Sequence, residues 1–239
     1  MAKKKAGPGQ RTLSPEEKLA ALLAAPVAEG KKDRPLVYAG NHRLVFALDA
    51  TASRQPTWRV AQSLTVQMFD ALPEGLEIAL AYHSGGRMRP WSQFTRAADR
   101  LRKEITQVKC EAGETALNPI LGQCMEIPSL RAMIYIGDCF EEDEDDAINL
   151  AHKLHLKGVR CFFFQDRLSP HSEMDYVSQV FGEIAKITEG ALFDFDQRSP
   201  KRTGEEMQAI ARLAAGGIAA LQQDSRNLPG AIRVLEKLK

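Results

Sequence analysis

Three short polar segments of the chain could together bind a hard metal ion. The first is Asp49-Ala50-Thr51-Ala52-Ser53, in which every second residue carries an oxygen atom and the residues between are small. The second contains Thr115 and the third contains Asp138. Oxygen ligands suit hard cations, and a set with few carboxylates and several waters suits Mg²⁺ better than a complete Ca²⁺ cage. We therefore expect a Mg²⁺ site, able to accept Mn²⁺ or Ca²⁺, formed by Asp49, Thr51, Ser53, Thr115 and Asp138.

Elements predicted from the hydrophobic pattern would bring these segments together. Continuous apolar runs at residues 44–48 and 133–136 are typical of strands buried on both faces, and they directly precede Asp49 and the Gly137-Asp138 pair. Thr115 directly precedes a helix predicted over residues 116–126. Because ligands of open α/β sheets bind outside the carboxyl ends of the strands, the three segments should meet at one edge of a sheet.

The rest of the chain alternates between strands and helices. Further strands are predicted at residues 76–83, 159–164 and 191–195, and helices at 60–72, 97–108, 147–154, 176–188 and 205–221. Residues 87–94 are expected to pair antiparallel with the strand at 76–83. This order predicts an α/β fold, a three-layer, doubly wound, mostly parallel sheet with one antiparallel edge strand.

The chain divides into three predicted regions. Residues 36–222 form the α/β domain. Residues 1–35 are a basic extension with a short helix that begins at Ser14, where Pro15 and Glu17 complete a helix-start pattern. Residues 223–239 are a tail or a short helix.

Composition excludes several classes of protein. The 32 Lys and Arg residues against 31 Asp and Glu give a net charge of +1, which argues against a dedicated nucleic-acid binder. No apolar run reaches the roughly 18 residues needed for a membrane span, and no apolar stretch follows Lys3–Lys5 as in a signal peptide. The four cysteines lack C-x-x-C spacing. We expect a reduced, cytoplasmic protein.

The polar segments resemble the metal-ion-dependent adhesion site of the von Willebrand factor type A (VWA) family. That motif is D-x-S-x-S after the first strand, with a distant Thr and a distant Asp within T-D-G. Here Thr51 stands in place of the first Ser, and Gly137 and Cys139 replace the Thr and the Gly on either side of Asp138. The resemblance covers about residues 43–220 and implies a Rossmann-like VWA fold.

The resemblance also implies a function. The hydroxyls of Thr51, Ser53 and Thr115 would contact Mg²⁺, and Asp49 and Asp138 would bind it directly or through water. A carboxylate of a partner protein would complete the coordination. Intracellular members of the family often work in multiprotein complexes, commonly with ring-forming ATPases. The expected role is thus a bacterial, intracellular adaptor or complex subunit and not an enzyme.

A phosphohydrolase similar to the haloacid dehalogenases is the alternative. That family also has an Asp after the first strand and an acidic loop further on, with Mg²⁺ between them. Its second Asp, two residues after the first, donates a proton to the leaving group. Thr51 occupies that position here, so the proton donor would be missing.

Six consecutive acidic residues, Glu141 to Asp146, follow the Asp138 segment. They are interpreted as the start of a helix or as a solvated face, since carboxylates favour helix N-termini. The alternative is that they extend a negative field around the metal site. His152 and His155 could share one helix face, but a pair without a third ligand is more typical of a surface.

Overall fold

Most of the predicted α/β domain is described by the structure. The computed structural model describes residues 42–70, 72–167, 174–196 and 198–238, all within a unit that extends from Tyr38 to Lys239. Within them the sheet consists of β1 (His42–Asp49), β2 (Leu76–Ser84), β3 (Arg87–Met88), β4 (Leu130–Gly137), β5 (Arg160–Gln165) and β6 (Ala191–Asp194). The strand order is β3-β2-β1-β4-β5-β6. Neighbouring strands are parallel except for β2 and β3, which confirms the predicted sheet.

The helices form two groups around this sheet. Their bounds are α1 (Trp58–Asp70), α2 (Ala98–Gln107), α3 (Leu117–Met125), α4 (Glu144–Leu156), α5 (Met174–Ile187), α6 (Pro200–Gln223) and α7 (Gly230–Lys237). Helix α1 packs against α2 and α6, and α6 packs against α7; helix α4 packs against both α3 and α5. These two sets are the outer layers of the predicted three-layer arrangement. Within the described residues, no helix is both long and apolar enough to cross a bilayer.

Strand β1 is buried on both faces, as its continuous apolar run predicts. Residues 44–48 are fully buried. Because successive side chains of a strand alternate between faces, Val45 and Ala47 join the core beneath α3, α4 and α5. On the other face the ring of Phe46 meets that of Phe69 in α1, edge to face. Because β1 is buried on both faces, its last residue, Asp49, has a fixed position at the carboxyl end of the strand.

The predicted antiparallel segment at residues 87–94 is only partly a strand. Strand β3 ends at Met88, although Arg89 N still donates to Tyr82 O and Ser92 N to Leu80 O. Pro90 lies between these two donors and has no N–H of its own, so the ladder cannot continue regularly.

The predicted terminal regions have different outcomes. The basic extension at residues 1–35 lies outside the described residues. The helix predicted at 205–221 lies within α6, which breaks from helical geometry at Gly217 (φ 72°). Helix α7 lies within the region predicted as a tail or a short helix. The boundaries proposed at residues 35/36 and 222/223 stay predictions.

A contact between glycines brings the loop before Thr115 to the carboxyl edge of the sheet. Gly113 has φ +153°, and a Cβ atom on it would lie 2.2 Å from Gly86 N and 2.5 Å from the carbonyl carbon of Gly85. The same loop is bound to the end of β1, because Glu111 N donates to Ala50 O at 3.0 Å. This loop therefore depends on a backbone approach that only glycine allows.

We expect Gly113→Ala to lower the free energy of unfolding by about 1–3 kcal/mol, because the added methyl group overpacks a backbone contact. Gly122→Ala is the matched control, since nothing lies within 4 Å of a Cβ at that position in α3. It should change stability little or raise it by up to about 1 kcal/mol, as helix propensity predicts. Urea unfolding measures both variants, and equal effects would contradict the role of the glycine contact.

Candidate metal centre

The two predicted carboxylate ligands meet where the order of the sheet reverses. Strands β1 and β4 are neighbours, with Leu48 paired to Ile136 in register. Asp49 and Asp138 follow at the adjacent strand ends, and both are fully buried. The Asp138 carboxyl group is close enough to Asp49 to influence its pKa. Two buried carboxyl groups side by side repel each other when both are ionised.

The two predicted hydroxyl ligands after β1 are connected to this pair. Thr51 N donates to Asp49 Oδ1 at 2.8 Å, so the chain turns back toward the carboxylate. Thr51 Oγ1 and Ser53 Oγ lie 2.9 Å apart in a hydrogen bond. A turn of 3₁₀-helix, Ala52–Arg54, holds Ser53 in place. These hydrogen bonds bring Asp49, Thr51 and Ser53 together in one compact group.

Thr115 is bonded to the loop that carries Asp138. Its hydroxyl accepts a hydrogen bond from Glu141 N at 2.9 Å, and its own N–H donates to Glu141 Oε2 at 3.0 Å. The threonine hydroxyl keeps a second lone pair after accepting one hydrogen bond. This reciprocal pair fixes the position of Thr115 relative to Asp138.

One carboxylate oxygen of Asp49 is buried without a regular hydrogen bond, which is the strongest indication of a ligand site. Its Oδ2 atom is buried and has no hydrogen-bond partner of regular geometry among the described residues. Burial raises the pKa of Asp49, against smaller opposing effects of the Arg54 charge, the Thr51 hydrogen bonds and Asp138. A buried carboxylate oxygen without a partner is costly. A cation held between these oxygens would remove that cost, so the donor set fits a hard divalent ion.

Other types of metal site are not supported in the described part of the chain. No group of three or more His, Cys, Asp or Glu side chains there is arranged to hold a metal. The predicted set differs from such a group, because it has two carboxylates and its other members are hydroxyls. His152 and His155 are both exposed on α4, in agreement with their interpretation as surface residues.

A buried ion pair that sequence reasoning missed connects two of the loops that carry predicted ligands. Arg54, directly after Ser53, donates to Asp166, and both side chains are at most 1% exposed. The N–H of Asp166 donates to Gly137 O at 2.9 Å, which connects the pair to the residue before Asp138. The Arg54 guanidinium also lies over the Phe195 ring. Asp166 follows β5 directly, so the rule that strand ends carry functional residues could have identified it.

A neutral histidine forms the inner wall of the centre. His83 Nε2 lies 2.9 Å from the Tyr135 hydroxyl, and His83 Nδ1 lies 3.8 Å from Asp49 Oδ1. Burial lowers the pKa of His83 to about 4, against the smaller raising effects of Glu142, Asp138 and Glu141. His83 is therefore neutral near pH 7.

The same tyrosine accounts for one departure from the family motif. A Cβ on Gly137 would lie 2.5 Å from the Tyr135 ring. The ring thus occupies the space that a threonine side chain at position 137 would need. Cys139, the other departure, is half-buried, and burial raises the pKa of its thiol to about 11.

The acidic run caps two helices. The Glu142 carboxylate accepts from Leu117 N at 2.6 Å and Asn118 N at 2.7 Å, at the start of α3. Asp143 is the N-cap of α4 and accepts from Asp146 N at 2.8 Å. The interpretation as a helix start is thus confirmed for α4. The hydrogen bonds from the start of α3 to Glu142 were not predicted, because Glu142 lies in the loop before a different helix, α4.

Comparison with known proteins identifies the fold of the chain. No family model matches the chain, and no curated protein matches it. Among solved structures, a von Willebrand factor type A protein from Catenulispora acidiphila aligns over 74% of this chain and 43% of its own, with a TM-score of 0.60 and 18% identity. The SpRpn10 VWA domain aligns over 64% of this chain and 87% of its own, with a TM-score of 0.53 and 10% identity. The chain has a VWA fold.

A third solved structure holds a metal in its own motif. It is proximal thread matrix protein 1 from the mussel byssus with a zinc-occupied MIDAS motif, the metal-ion-dependent adhesion site. It aligns over 74% of this chain and 46% of its own, with a TM-score of 0.56 and 14% identity. This chain therefore spans less than half of the mussel and Catenulispora proteins. At these identities the likeness shows the VWA fold and nothing about the metal.

The Arg54–Asp166 pair should stabilise this VWA fold in a way that an exposed pair does not. Arg54→Met leaves Asp166 buried without its counter-ion, so we expect a loss of about 3–5 kcal/mol in the free energy of unfolding. Arg54→Met/Asp166→Leu should recover most of that loss, because no charge stays buried. Arg100→Met, at an exposed pair with Glu104, should cost less than about 1 kcal/mol. Similar losses in Arg54→Met and Arg100→Met would refute this role.

The raised pKa of Asp49 predicts how stability depends on pH in the absence of metal. The folded pKa lies above the ordinary value of 3.8, so the folded protein binds this proton more tightly than the unfolded chain. Stability from this group is therefore present at low pH and is lost as pH rises above about 4. Asp49→Asn removes the charge but keeps an acceptor for Thr51 N, so at pH 7 in chelator it should be at least as stable as wild type. Urea unfolding across the pH range tests this, and a less stable variant at pH 7 would contradict it.

Proposed function

We propose that this VWA module binds a protein partner through a divalent metal ion, with Mg²⁺ the preferred ion. The observation that supports it most is the buried Asp49 Oδ2, which has no partner of regular geometry while a second carboxyl group lies beside it. A protein that needed these residues only for its fold would gain by neutralising or pairing them.

Each residue has a distinct task in this proposal. Asp49 and Asp138 supply the negative charge, directly or through water. The hydroxyls of Thr51, Ser53 and Thr115 supply neutral oxygens, and their hydrogen bonds keep them oriented before metal enters. Mg²⁺, when bound, supplies positive charge and a coordination position for an oxygen atom from outside the chain.

A carboxylate of the partner is the proposed external ligand. The centre contributes only two carboxylates, so a third carboxylate oxygen suits a hard divalent ion held there. We further propose an adaptor or subunit role in a bacterial, cytoplasmic multiprotein complex, with ring-forming ATPases as one class of partner. The zinc in the motif of the mussel protein is consistent with metal binding on this fold.

The phosphohydrolase alternative is less well supported. In that chemistry the residue two positions after the first Asp donates a proton. Thr51 stands there, and its hydroxyl is bonded to Ser53. A threonine hydroxyl does not ionise near neutral pH, so it is a poor general acid.

Metal binding should be measurable without any partner. We expect Mg²⁺ or Mn²⁺ to raise the melting temperature of the wild-type chain, since a ligand at about 100 times its Kd stabilises the folded state by ~2.7 kcal/mol. Asp49→Asn and Thr115→Val should abolish this shift. Asp99→Asn, which changes an exposed acid on α2, should retain it. An identical shift in Asp49→Asn and wild type would contradict the proposed centre.

Partner binding should depend on the same residues. In affinity capture from the native cell, the partner retained by wild type in Mg²⁺ should be lost with chelator and in Asp49→Ala and Thr115→Ala. A generic aryl phosphate provides the enzymatic control. Phosphate release that needs Mg²⁺ and Asp49 would favour the hydrolase instead.

A further inference from the structure

The surface beside the candidate centre is strongly acidic on one side. Residues 110–151 contain ten acidic residues and one Arg, Arg131. Arg131 lies near the start of β4, about 23 Å along the strand from Asp138, which is beyond the range of screened charges in physiological salt. No cation within this segment therefore lies near these acids; outside it, the exposed Arg87 of β3 follows Gly86, whose position adjoins Glu114.

Five exposed acids make up this surface, here called the acidic flank. Glu114 adjoins Thr115, and the Glu141 carboxylate accepts from Thr115 N. The others follow at the start of α4. The acidic flank consists of Glu114, Glu141, Asp143, Asp145 and Asp146. Glu111 is also exposed but pairs with Arg89, so it is not included.

The acidic flank favours positive charge in a partner, whereas the candidate centre favours a carboxylate. The unsatisfied Asp49 Oδ2 indicates a cation, and a bound cation favours a carboxylate from outside. The two carboxylates offset the charge of Mg²⁺, so the bound ion offers a coordination position to an outside carboxylate but little long-range attraction. An approaching carboxylate would therefore be repelled by the flank, since like charges at an interface suppress binding.

We propose that the partner segment carries lysine or arginine residues beside the carboxylate that reaches the centre, and that the acidic flank selects for them. This inference rests on the proposed function. The carboxylate supplies the ligand, and the basic neighbours pair with the flank. An acidic segment without such neighbours is excluded by charge. The flank therefore determines specificity while the centre provides the metal-dependent contact.

Synthetic peptides test this proposal. Each labelled peptide has one central Asp, flanked on both sides by Lys, by Ser or by Glu, and a fourth has the Lys flanks with Asn at the centre. Fluorescence anisotropy measures their binding to the full chain in Mg²⁺ and in chelator. We expect the Lys-flanked Asp peptide to bind at least about ten-fold more tightly than the Ser-flanked one, and the Glu-flanked peptide to bind most weakly.

Charge-neutral variants separate the flank from the centre. Glu114→Gln/Asp145→Asn/Asp146→Asn leaves Glu141 and the N-cap Asp143 intact, and it should remove most of the preference for Lys flanks. Glu74→Gln/Glu126→Gln/Glu183→Gln changes net charge equally at exposed acids outside the flank and should keep the preference. Asp49→Ala and the Asn peptide should each lose metal-dependent binding.

The outcomes distinguish this inference from the proposed function. Metal-dependent binding with the same Lys preference in the flank variant and the control variant would overturn the role of the flank but leave the metal site intact. Binding of the Lys-flanked peptide that is independent of Mg²⁺ and of Asp49 would overturn both. No measurable binding of any peptide would also overturn the inference.

Discussion

Two carboxyl groups buried next to each other impose the main constraint on this molecule. Asp49 and Asp138 lie fully buried at adjacent strand ends, where the sheet order reverses. Desolvation and mutual repulsion both act against their ionised forms. A fold that keeps them must fix their positions with other interactions, and their charge must be offset by a proton or by a cation. Most of the polar contacts around the carboxyl edge of the sheet meet the first of these needs.

Those contacts connect the loops in pairs. The Arg54–Asp166 ion pair joins the loop after β1 to the end of β5, and Asp166 N joins it to Gly137. Thr115 and Glu141 exchange two hydrogen bonds. Each loop that carries a predicted ligand is therefore bonded to another such loop. These connections allow two unbalanced carboxyl groups to persist in the folded chain, because moving one loop would break its hydrogen bonds to the neighbouring loop.

The sequence predicted the parts of this arrangement that depend on local pattern. Buried apolar runs located β1 and β4, and the rule for strand ends located Asp49 and Asp138. It did not predict Arg54 as part of the centre, because its partner Asp166 is 112 residues away and only the tertiary fold brings them together. Nor did it predict Tyr135 over Gly137. Side-chain direction across a sheet follows from register and packing, and neither can be read from one strand alone.

The residues behind the two carboxyl groups are uncharged, whereas the exposed residues around the centre are acidic. This difference separates affinity for a cation from selection of a partner. His83 is neutral, because burial lowers its pKa to about 4, and it is hydrogen-bonded to Tyr135. The wall behind the carboxylates therefore adds no charge, while Arg54 is balanced by Asp166. Under the proposed function, Asp49, Asp138 and the hydroxyls determine the affinity for a cation. Discrimination between partners then depends on the exposed acids outside, Glu114 and the first turn of α4. Because these acids lie at the surface and not among the proposed ligands, the proposal implies that substitutions there change the preferred partner without altering the candidate centre.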